Sequence, residues 1–399
     1  MSTIKVTNIE HASTGNGGIQ LDNAGHVTVD GVQMPSAGPL SNRNIVINGA
    51  MQVAQRGTTS SSTNDYCSLD RFRVDANQGA WQFSQESLSS GDPYNLGFRY
   101  FARLKNTTVT TANSRRRKFQ QYIEAQNVAQ SGWNYASSSS YVTFSFWVRS
   151  SVAGTYYFAL QTQDQSPNKS YVFGETLVAD TWTKVEKTIP GASSLVVNND
   201  TGSGLRVIFN VDHGTDFSGS VTLNQWEDFS NTARHPDTST GWSNTLNATF
   251  DVTGVQLEVG EKATPFEHRS YGDELLRCMR YFQKIDGTGS GGARVFGHGA
   301  TRSANNTHIH VPLGVPMRDK PAFSTVDGSV RITHGGNFSD SSSGSITIGS
   351  VTPTVHTDGT NFNVTLNYNG NVGTSIAANQ GGVHMMSNQS GTVRFDAEL

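Results

Sequence analysis

The chain is poor in charge, in cysteine and in long apolar runs. Of its 399 residues 15% are charged and 35% are hydrophobic, and the formal net charge is -3. So small a negative charge gives no electrostatic attraction to nucleic acid or to anionic lipid. No stretch approaches the roughly 18 consecutive apolar residues of a membrane-spanning helix. We therefore expect no nucleic-acid partner and no membrane insertion.

Cys67 and Cys278 are the only cysteines. Two buried thiols are the favoured interpretation, and a disulfide between them is the alternative. Two cysteines cannot supply a four-thiolate metal site. The cysteines are expected to carry no chemistry, and no cofactor is expected.

The N-terminus, Met1–Lys5, lacks the apolar core of a signal peptide.

Glycine is abundant, with 41 glycines in the chain. Low charge and much glycine are typical of many short strands joined by tight turns. In residues 1–40, Ile19 and Leu21, then Val27 and Val29, alternate with polar residues. Such strands offer about two apolar side chains per face, too few for one chain to offset its ordering entropy. We predict a short intertwined N-terminal β stem in which three copies cover each other, hence a homotrimer.

Residues 41–270 form an aromatic-rich body that contains all six tryptophans. In Tyr141–Val148 alternate apolar residues would line one face, and Gly154 would turn the chain into Tyr156–Leu160 as a hairpin partner. Further strands are predicted at 70–75, 80–84, 119–124, 182–189, 205–211 and 249–259. Strands at this spacing, with little helical periodicity between them, indicate an antiparallel β-sandwich, a jelly roll.

One connecting helix is predicted over 271–285, followed by a glycine-rich linker that ends at residue 292. Ser270 would cap the helix, and the acidic Asp273 and Glu274 suit the positive end of its dipole. This helix either packs against the preceding sandwich or lines a threefold axis. Its apolar stripe would consist of Leu275, Cys278, Phe282 and Ile285.

Residues 293–399 differ in composition, because they hold no tryptophan, no cysteine and a single tyrosine, Tyr368. The pattern Val393, Phe395, Ala397 and Leu399 alternates to the last residue of the sequence. We predict a small C-terminal β-sandwich tip, which makes the whole chain all-β. Its strands are expected at 307–311, 329–333, 345–351, 361–367 and 382–386.

Several separated motifs occur in an order that resembles a known family. They are Asn42–Gly57, Asp70–Phe72, Gln121–Glu124, Thr143–Val148 and the long run Phe250–Phe282. Over about residues 42–285 they resemble tail-fibre proteins of tailed bacteriophages, especially marine phages and cyanophages that infect aquatic bacteria. The resemblance implies a carbohydrate-binding-module-like jelly roll on a trimeric fibre, and it transfers no catalytic residue.

The same resemblance implies a place and partners for the protein. Residues 1–40 are similar to stems that precede this domain, so we expect the N-terminus to dock on other tail or virion proteins. The protein is expected in the virion, after assembly in the host cytoplasm. Host surface polysaccharide, such as lipopolysaccharide, is the expected receptor. Residues 293–399 resemble no family, and receptor specificity is expected in such tips by analogy.

Sugars are bound by aromatic faces with amide and carboxylate groups around them. Trp81, Trp226 and Trp242 are flanked by polar residues and are our candidate carbohydrate-binding residues. A position in the core or at a sheet edge is the alternative for each.

The side chains of two sequence motifs could bind a metal ion. His308 and His310 would share one face of a strand, and in a trimer three such pairs could bind octahedral iron, as in fibre tips that resemble this motif. Two surface histidines are the alternative. The run Asp212–Asp216 could offer oxygen ligands to calcium, with a polar turn as the alternative.

Arg115–Lys118 is the only basic run of the chain. It would lie solvated at a strand entrance, or it would meet acidic groups of lipopolysaccharide.

Enzyme motifs are missing from the sequence. It contains no Gly-x-Ser-x-Gly, no His-Glu-x-x-His and no phosphate-binding loop. It also lacks the repeat of about 20–25 residues expected of a polysaccharide-cleaving β-helix. We expect a non-enzymatic attachment fibre. A purely structural virion fibre, collar or baseplate component is the alternative, and a depolymerase is the weakest hypothesis.

Overall fold

The structure is a computed structural model. It describes residues 8–9, 18–21, 27–29, 32–33, 42–61, 64–237, 240–286, 294–303, 306–326, 330–334, 346–347, 354–357, 363–369, 381–387 and 391–399. Two compact units divide the chain: unit 1 is Met1–Ser270 and unit 2 is Tyr271–Leu399. Among the described residues of both units, regular secondary structure is almost wholly strand, as predicted. In the described ranges, no helix combines the length and apolarity needed to cross a bilayer.

The described part of residues 1–40 is an antiparallel meander. Its strands are β1 (Asn8–Ile9), β2 (Ile19–Leu21), β3 (Val27–Val29) and β4 (Val32–Gln33). Ile9 lies directly opposite Ile19, and the two are 58% and 42% exposed. The short strands at 19–21 and 27–29 are confirmed. The trimer that would cover these isoleucines stays a prediction.

Twelve more described strands of unit 1 build a sandwich. They are β5 (Thr59–Ser61), β6 (Arg73–Asn77), β7 (Trp81–Ser87), β8 (Tyr100–Asn106), β9 (Arg116–Glu124), β10 (Tyr141–Ser150), β11 (Gly154–Thr162), β12 (Lys169–Leu177), β13 (Thr183–Pro190), β14 (Ser203–His213), β15 (Trp226–Asp228) and β16 (Thr249–Val259). Short helices α1 (Asp92–Asn95) and α2 (Ala125–Ala129) and a 3-10 turn (Trp242–Asn244) lie between them.

These strands form two antiparallel sheets. The order is β13-β10-β16-β8-β7-β5 in one, called the front sheet here, and β15-β12-β11-β14-β9-β6 in the other, the back sheet. The pairs are nested: β11 with β12, β10 with β13, β9 with β14 and β8 with β16, in alternating sheets. Such nesting is the connectivity of a jelly roll, which confirms the predicted fold.

The predicted hairpin of β10 with β11 is wrong. The two strands lie in opposite sheets, because the chain crosses the sandwich between Ser150 and Gly154. Each strand instead pairs with two partners of its own sheet. Alternating apolar residues identify a strand and its buried face, but they do not identify its neighbours.

Aromatic side chains fill the space between the sheets. Phe144 and Phe146 of β10 point inward together with Phe209 of β14, and all three are at most 1% exposed. The Phe209 ring centroid lies 5.8 Å from that of Phe144 and 5.1 Å from that of Phe146. It also stacks on Phe119 at 4.8 Å. Large rings bury much apolar area per residue, so this cluster contributes strongly to the stability of unit 1.

Unit 2 begins with α3 (Tyr271–Met279). Its described strands are β17 (Phe282–Asp286), β18 (Arg294–Ser303), β19 (Asn306–Pro312), β20 (Ala322–Val326), β21 (Val330–His334), β22 (Ile346–Thr347), β23 (Thr354–Thr357), β24 (Asn363–Asn369), β25 (Gly381–Ser387) and β26 (Thr392–Asp396). They form sheets of order β17-β26-β20 and β22-β21-β25-β18-β19-β24-β23. Ile309, Leu366, Met385 and Phe395 are among its buried core residues.

The helix is shorter than predicted. It ends at Met279, and Phe282 and Ile285 belong to β17, which pairs with β26 at the far end of the sequence. Backbone hydrogen bonds to a strand more than a hundred residues away overrode the local periodicity. The predicted linker after Asp286 lies outside the described residues. Cys67 and Cys278 form no disulfide with each other; Cys278 is buried, as predicted, and Cys67 is half-buried.

Candidate functional site

A cavity of about 780 Å³ opens on the outer face of the front sheet. Its floor comes from β10, where Thr143, Ser145 and Trp147 alternate with core residues and so point away from the core. The neighbouring β13 adds three polar side chains, and the segment from Glu261 to His268 forms a wall. The side chains from β13 are Lys184, Glu186 and Thr188.

Buried acceptors on β16 hold this wall in place. The Glu258 carboxylate accepts hydrogen bonds from the backbone N–H of Thr264 at 2.8 Å and from its hydroxyl at 2.6 Å. Gln256 Oε1 accepts from the backbone N–H of Glu267 at 2.8 Å. Gln256 and Glu258 are 0% and 2% exposed. Water therefore cannot compete for these hydrogen bonds, and the wall is preorganised.

Glu267 connects this wall to the first residues of the sandwich by hydrogen bonds. Its carboxylate accepts from the backbone N–H groups of Arg43 and Asn44, at 3.2 and 2.9 Å, and from Arg269 at 2.9 Å. Burial acts to raise the pKa of Glu267, but these donors and the Arg269 charge outweigh it and lower that pKa. Two motifs more than two hundred residues apart in sequence thus meet beside the cavity.

A β-bulge shapes the apolar end of the cavity. Gly254 has a φ of +64°, and a Cβ there would lie 2.8 Å from the Phe98 ring. The register of β10 with β16 shifts between Ser145 and Trp147. The bulge lets Phe98 lie against the sheet, and its ring centroid is 4.9 Å from those of Phe266 and His268. Apolar ring surface therefore faces the hydroxyl and charged groups of β10 and β13.

Trp147 is the tryptophan of this cavity, and our sequence reasoning missed it. Its indole is half-buried and belongs to an aromatic cluster with Phe101 and Trp182 outside the main core. The signal for it was present. Trp147 falls out of phase with the apolar alternation of Phe144, Phe146 and Val148, which places it on the opposite face of the strand.

The three predicted sugar-binding tryptophans lie elsewhere in unit 1. Trp81 and Trp242 are 2% and 0% exposed. Core side chains cover their rings, so neither offers a face to a sugar. Trp226 is half-buried on edge strand β15, where its Nε1 donates to the Pro190 carbonyl at 2.7 Å. None of the three lines the cavity, and a role of Trp226 in sugar binding stays a prediction.

His308 and His310 share one face of β19, as predicted. His310 lies directly opposite His298 and Thr365, and His308 lies opposite Ala300 and Asn367. Within the described ranges, no three His, Cys, Asp or Glu side chains converge on a position for a metal ion. The iron prediction therefore still depends on three copies of the chain, and it stays a prediction.

In the run Asp212–Asp216 the first two residues end β14 and the last two enter a turn, and the carboxylate of Asp212 is already bonded. The Asp212 carboxylate accepts from Arg115 at 2.9 Å and from the backbone N–H of Ser243 at 3.2 Å. His213 is buried and contacts His235, with 2.7 Å between His213 Nδ1 and His235 Nε2. His235 Nδ1 donates to the Pro236 carbonyl at 2.6 Å. Neutral His235 therefore accepts through Nε2, and the His213 Nδ1–H donates to it.

In the basic run Arg115–Lys118 the first two residues are half-buried and the last two are buried, so the predicted solvated position is wrong for Arg117 and Lys118. Arg117 is 0% exposed and donates to the carbonyls of Asn77 and Gln78. Burial lowers the pKa of Arg117 to about 10. Lys118 is 4% exposed beside Asp75. The run enters the back sheet where a loop folds over it, a contact that no local pattern anticipates.

We expect unit 1 to lose stability as the pH falls from 7 to 5. Burial lowers the pKa of His235 from 6.5 to about 4, and it lowers that of His213 well below the usual range. Around and below pH 6.5 the unfolded state therefore binds more protons than the folded state. The free energy of unfolding keeps falling until the pH drops below the pKa of the histidines in the folded state. By pH 5 His235 alone should cost about 2 kcal/mol.

Urea unfolding at pH 7, 6 and 5 measures this loss. All six tryptophans lie in unit 1, so their fluorescence follows that unit. The variant His235→Gln should flatten the pH dependence. If the free energy of unfolding fell equally steeply with pH in the wild type and the variant, the role of the histidine pair would be contradicted.

No family model matches the sequence, and no curated protein matches it. Among solved structures, the chain is similar to a domain of tailspike protein 4 of bacteriophage CBA120, with 13% identity, 54% of this chain and 21% of that chain covered, and a TM-score of 0.31. A putative sugar binding protein from Bacteroides thetaiotaomicron has 10% identity, 55% and 100% coverage and a TM-score of 0.30.

The chain is also similar to a xylan-binding domain from Paenibacillus barcinonensis, with 11% identity and a TM-score of 0.27. The match covers 58% of this chain and 100% of that domain. The chain thus spans about a fifth of the length of the tailspike chain it matches. Similarities as distant as these carry no argument about function.

Proposed function

We propose that this protein is a trimeric attachment fibre of a tailed bacteriophage. Its front-sheet cavity would bind a glycan of the host surface, with lipopolysaccharide as the expected source. The observation that carries the glycan-binding half is the lining of that cavity. A half-buried indole lies at the floor between hydroxyl, carboxylate and ammonium groups, and ring surface lies at one end.

The chemistry of sugars fits this lining. A pyranose presents C–H groups on its faces, which stack on an indole, and hydroxyls at its edge, which need donors and acceptors. Lys184 and Glu186 are exposed and form an ion pair with each other. Thr188 is half-buried and donates to the Glu261 carbonyl at 2.7 Å, so its oxygen can accept from a ligand, whereas Thr143 is 1% exposed and donates to the Gly260 carbonyl at 2.8 Å. The volume lies within the roughly 300–1,000 Å³ of small-molecule sites.

The fibre half of the proposal rests on the motif resemblance and on the N-terminal meander. Strands of two or three residues with Ile9 and Ile19 exposed are poorly stable in a single chain. Three intertwined copies would cover those side chains. The same meander also favours the second candidate, a purely structural virion component that binds no receptor.

Two measurements on the full chain test the proposal. Sedimentation should give a particle of three times the 43.1 kDa chain mass, and a monomer would contradict the stem argument. The trimer should then bind saturably to at least one member of a panel of purified bacterial lipopolysaccharides and capsular polysaccharides. Absence of binding across the panel favours the structural role, as does a position at a capsid vertex. Release of oligosaccharides would instead indicate a depolymerase.

A further inference from the structure

A buried cationic cluster lies on the outer face of the back sheet. Arg116 and Lys118 of β9 and Arg206 of β14 alternate with core residues and so point outward. Arg234, in the segment that follows β15, adds a fourth cation. Arg116 and Arg234 both stack on the ring of Phe217, with their guanidinium carbons 5.3 and 4.6 Å from its centroid.

Among the described residues, one carboxylate is paired with these cations. Asp75 lies directly opposite Lys118 on β6. Its Oδ1 accepts from Arg116 Nε at 2.7 Å, and its Oδ2 lies 3.3 Å from Lys118 Nζ. Arg206 donates to neutral groups, namely Gln161 Oε1 at 2.6 and 3.1 Å and the Tyr122 hydroxyl at 3.1 Å.

The carboxylates of Asp65 and Asp237 have partners of their own. Asp65 accepts from Arg73 at 2.9 Å, and Asp237 accepts from the Ser218 hydroxyl at 2.5 Å. The four cations are therefore only partly compensated.

Two of the four cations are shielded from water, while Arg116 and Arg234 are half-buried. Lys118 and Arg206 are 4% and 8% exposed. Burial and, to a smaller extent, the neighbouring charge of Arg206 lower the pKa of Lys118 to about 7. Burial also lowers the pKa of Arg234 to about 10. Like charges that share a buried site are costly unless a counter-charge joins them.

Two buried donors at this face have no hydrogen-bond partner among the described residues. One is Arg234 Nη1. The other is Nε2 of Gln161, a residue that is 0% exposed and whose Oε1 accepts from Arg206. Both groups donate in every protonation state that proteins reach. The group that would complement them is therefore an acceptor, and the local charge requires that it be negative.

We propose that this face of the back sheet binds an anionic group with two or more acceptor oxygens. Arg234, Lys118 and Arg116 would hold it, with Arg206 and Gln161 behind them. The partly exposed Asp75 and Arg116 side chains, 21% and 23% exposed, mark the side from which it enters. The anionic group would come either from a free inorganic oxyanion or from an acidic sugar of a surface glycan. The site is independent of the front-sheet cavity.

Thermal unfolding of the full chain, followed by tryptophan fluorescence, tests the site. Sodium sulfate up to about 10 mM should raise the Tm of unit 1 saturably by roughly 2–4 °C relative to sodium chloride of equal ionic strength. Nonspecific stabilisation by sulfate needs far higher concentrations and does not saturate. Equal Tm values in the two salts would overturn the proposal.

Variants assign the effect to the cluster. Arg234→Gln should weaken the apparent sulfate affinity at least tenfold, and Lys118→Met should abolish the sulfate-dependent rise. The matched control is Lys105→Met on β8 of the front sheet, outside both the cavity and the cationic cluster, which should respond to sulfate as the wild type does. If Lys118→Met fails to fold, Arg234→Gln carries the test. A wild-type response in Arg234→Gln would overturn the assignment.

A parallel titration with glucuronate, and with neutral glucose as its control, separates the two sources. A Tm rise with glucuronate at lower concentration than with sulfate supports an acidic sugar as the ligand. A rise with sulfate alone supports a free oxyanion. A rise with glucose equal to that with glucuronate would contradict recognition of the charge.

Discussion

Replacing Trp147 by alanine is expected to weaken glycan binding at least tenfold, and up to about a hundredfold, while the jelly roll stays folded. The indole lies at the cavity floor on the outer face of β10, outside the main core cluster. Its loss removes the flat apolar surface on which a pyranose would stack, but leaves the polar groups of β13 in place. Titration of the polysaccharide selected from the panel measures the change in Kd.

The matched control is Trp226→Phe. Trp226 is also half-buried, but it lies on the edge strand β15 and bonds to Pro190, outside the cavity. Its Kd should remain within about twofold of the wild-type value. The opposite result, with binding lost in Trp226→Phe and kept in Trp147→Ala, would move the site to the edge of the back sheet and restore the sequence-based prediction.

Replacing Asp251 by alanine is expected to destabilise unit 1 by about 3 kcal/mol. Asp251 lies on β16 directly between Arg149 of β10 and Arg103 of β8. Its side chain is 0% exposed and accepts from both guanidiniums at 2.7 to 3.0 Å. Without it two like charges share a poorly solvated face. Because the arginines are about a quarter exposed, water screens their charges. The lost free energy of unfolding is therefore expected at the low end of the range for breaking a buried ion pair.

Urea unfolding, followed by tryptophan fluorescence, measures this loss. Asp251→Asn keeps the shape and one acceptor oxygen and should lose less. The triple variant Asp251→Leu, Arg103→Met, Arg149→Met removes all three charges and should recover most of the stability. A loss under about 1 kcal/mol in Asp251→Ala, or no recovery in the triple variant, would show that this charge cluster adds little.

The strands of the body could be predicted because their side chains alternate. Tyr141–Val148 and 249–259 were identified from that period alone, and the structure has β10 and β16 there. Strand partners could not be predicted in this way. Alternation tells which face of a strand is buried, but many pairings bury the same face, and the jelly roll sends successive strands to opposite sheets.

The candidate site could be predicted only in part. Alternation identifies the strand that contains Trp147, whereas polar sequence neighbours point to Trp81 and Trp242, which are core residues. Polar neighbours in sequence are weak evidence for exposure, because adjacent residues of a strand point to opposite faces. The cavity wall was beyond prediction, since it depends on the Glu258, Gln256 and Glu267 hydrogen bonds to distant backbone groups.

By itself the sequence determined that this is an all-β chain of low charge with an aromatic jelly-roll body, because periodicity and composition act locally along each strand. Only the tertiary structure decided where the chemistry lies. It buried Trp81 and Trp242, left Trp147 at a cavity, and enclosed Lys118 with three arginines around Asp75. Burial and charge compensation depend on which distant segments meet, and those contacts are properties of the folded chain.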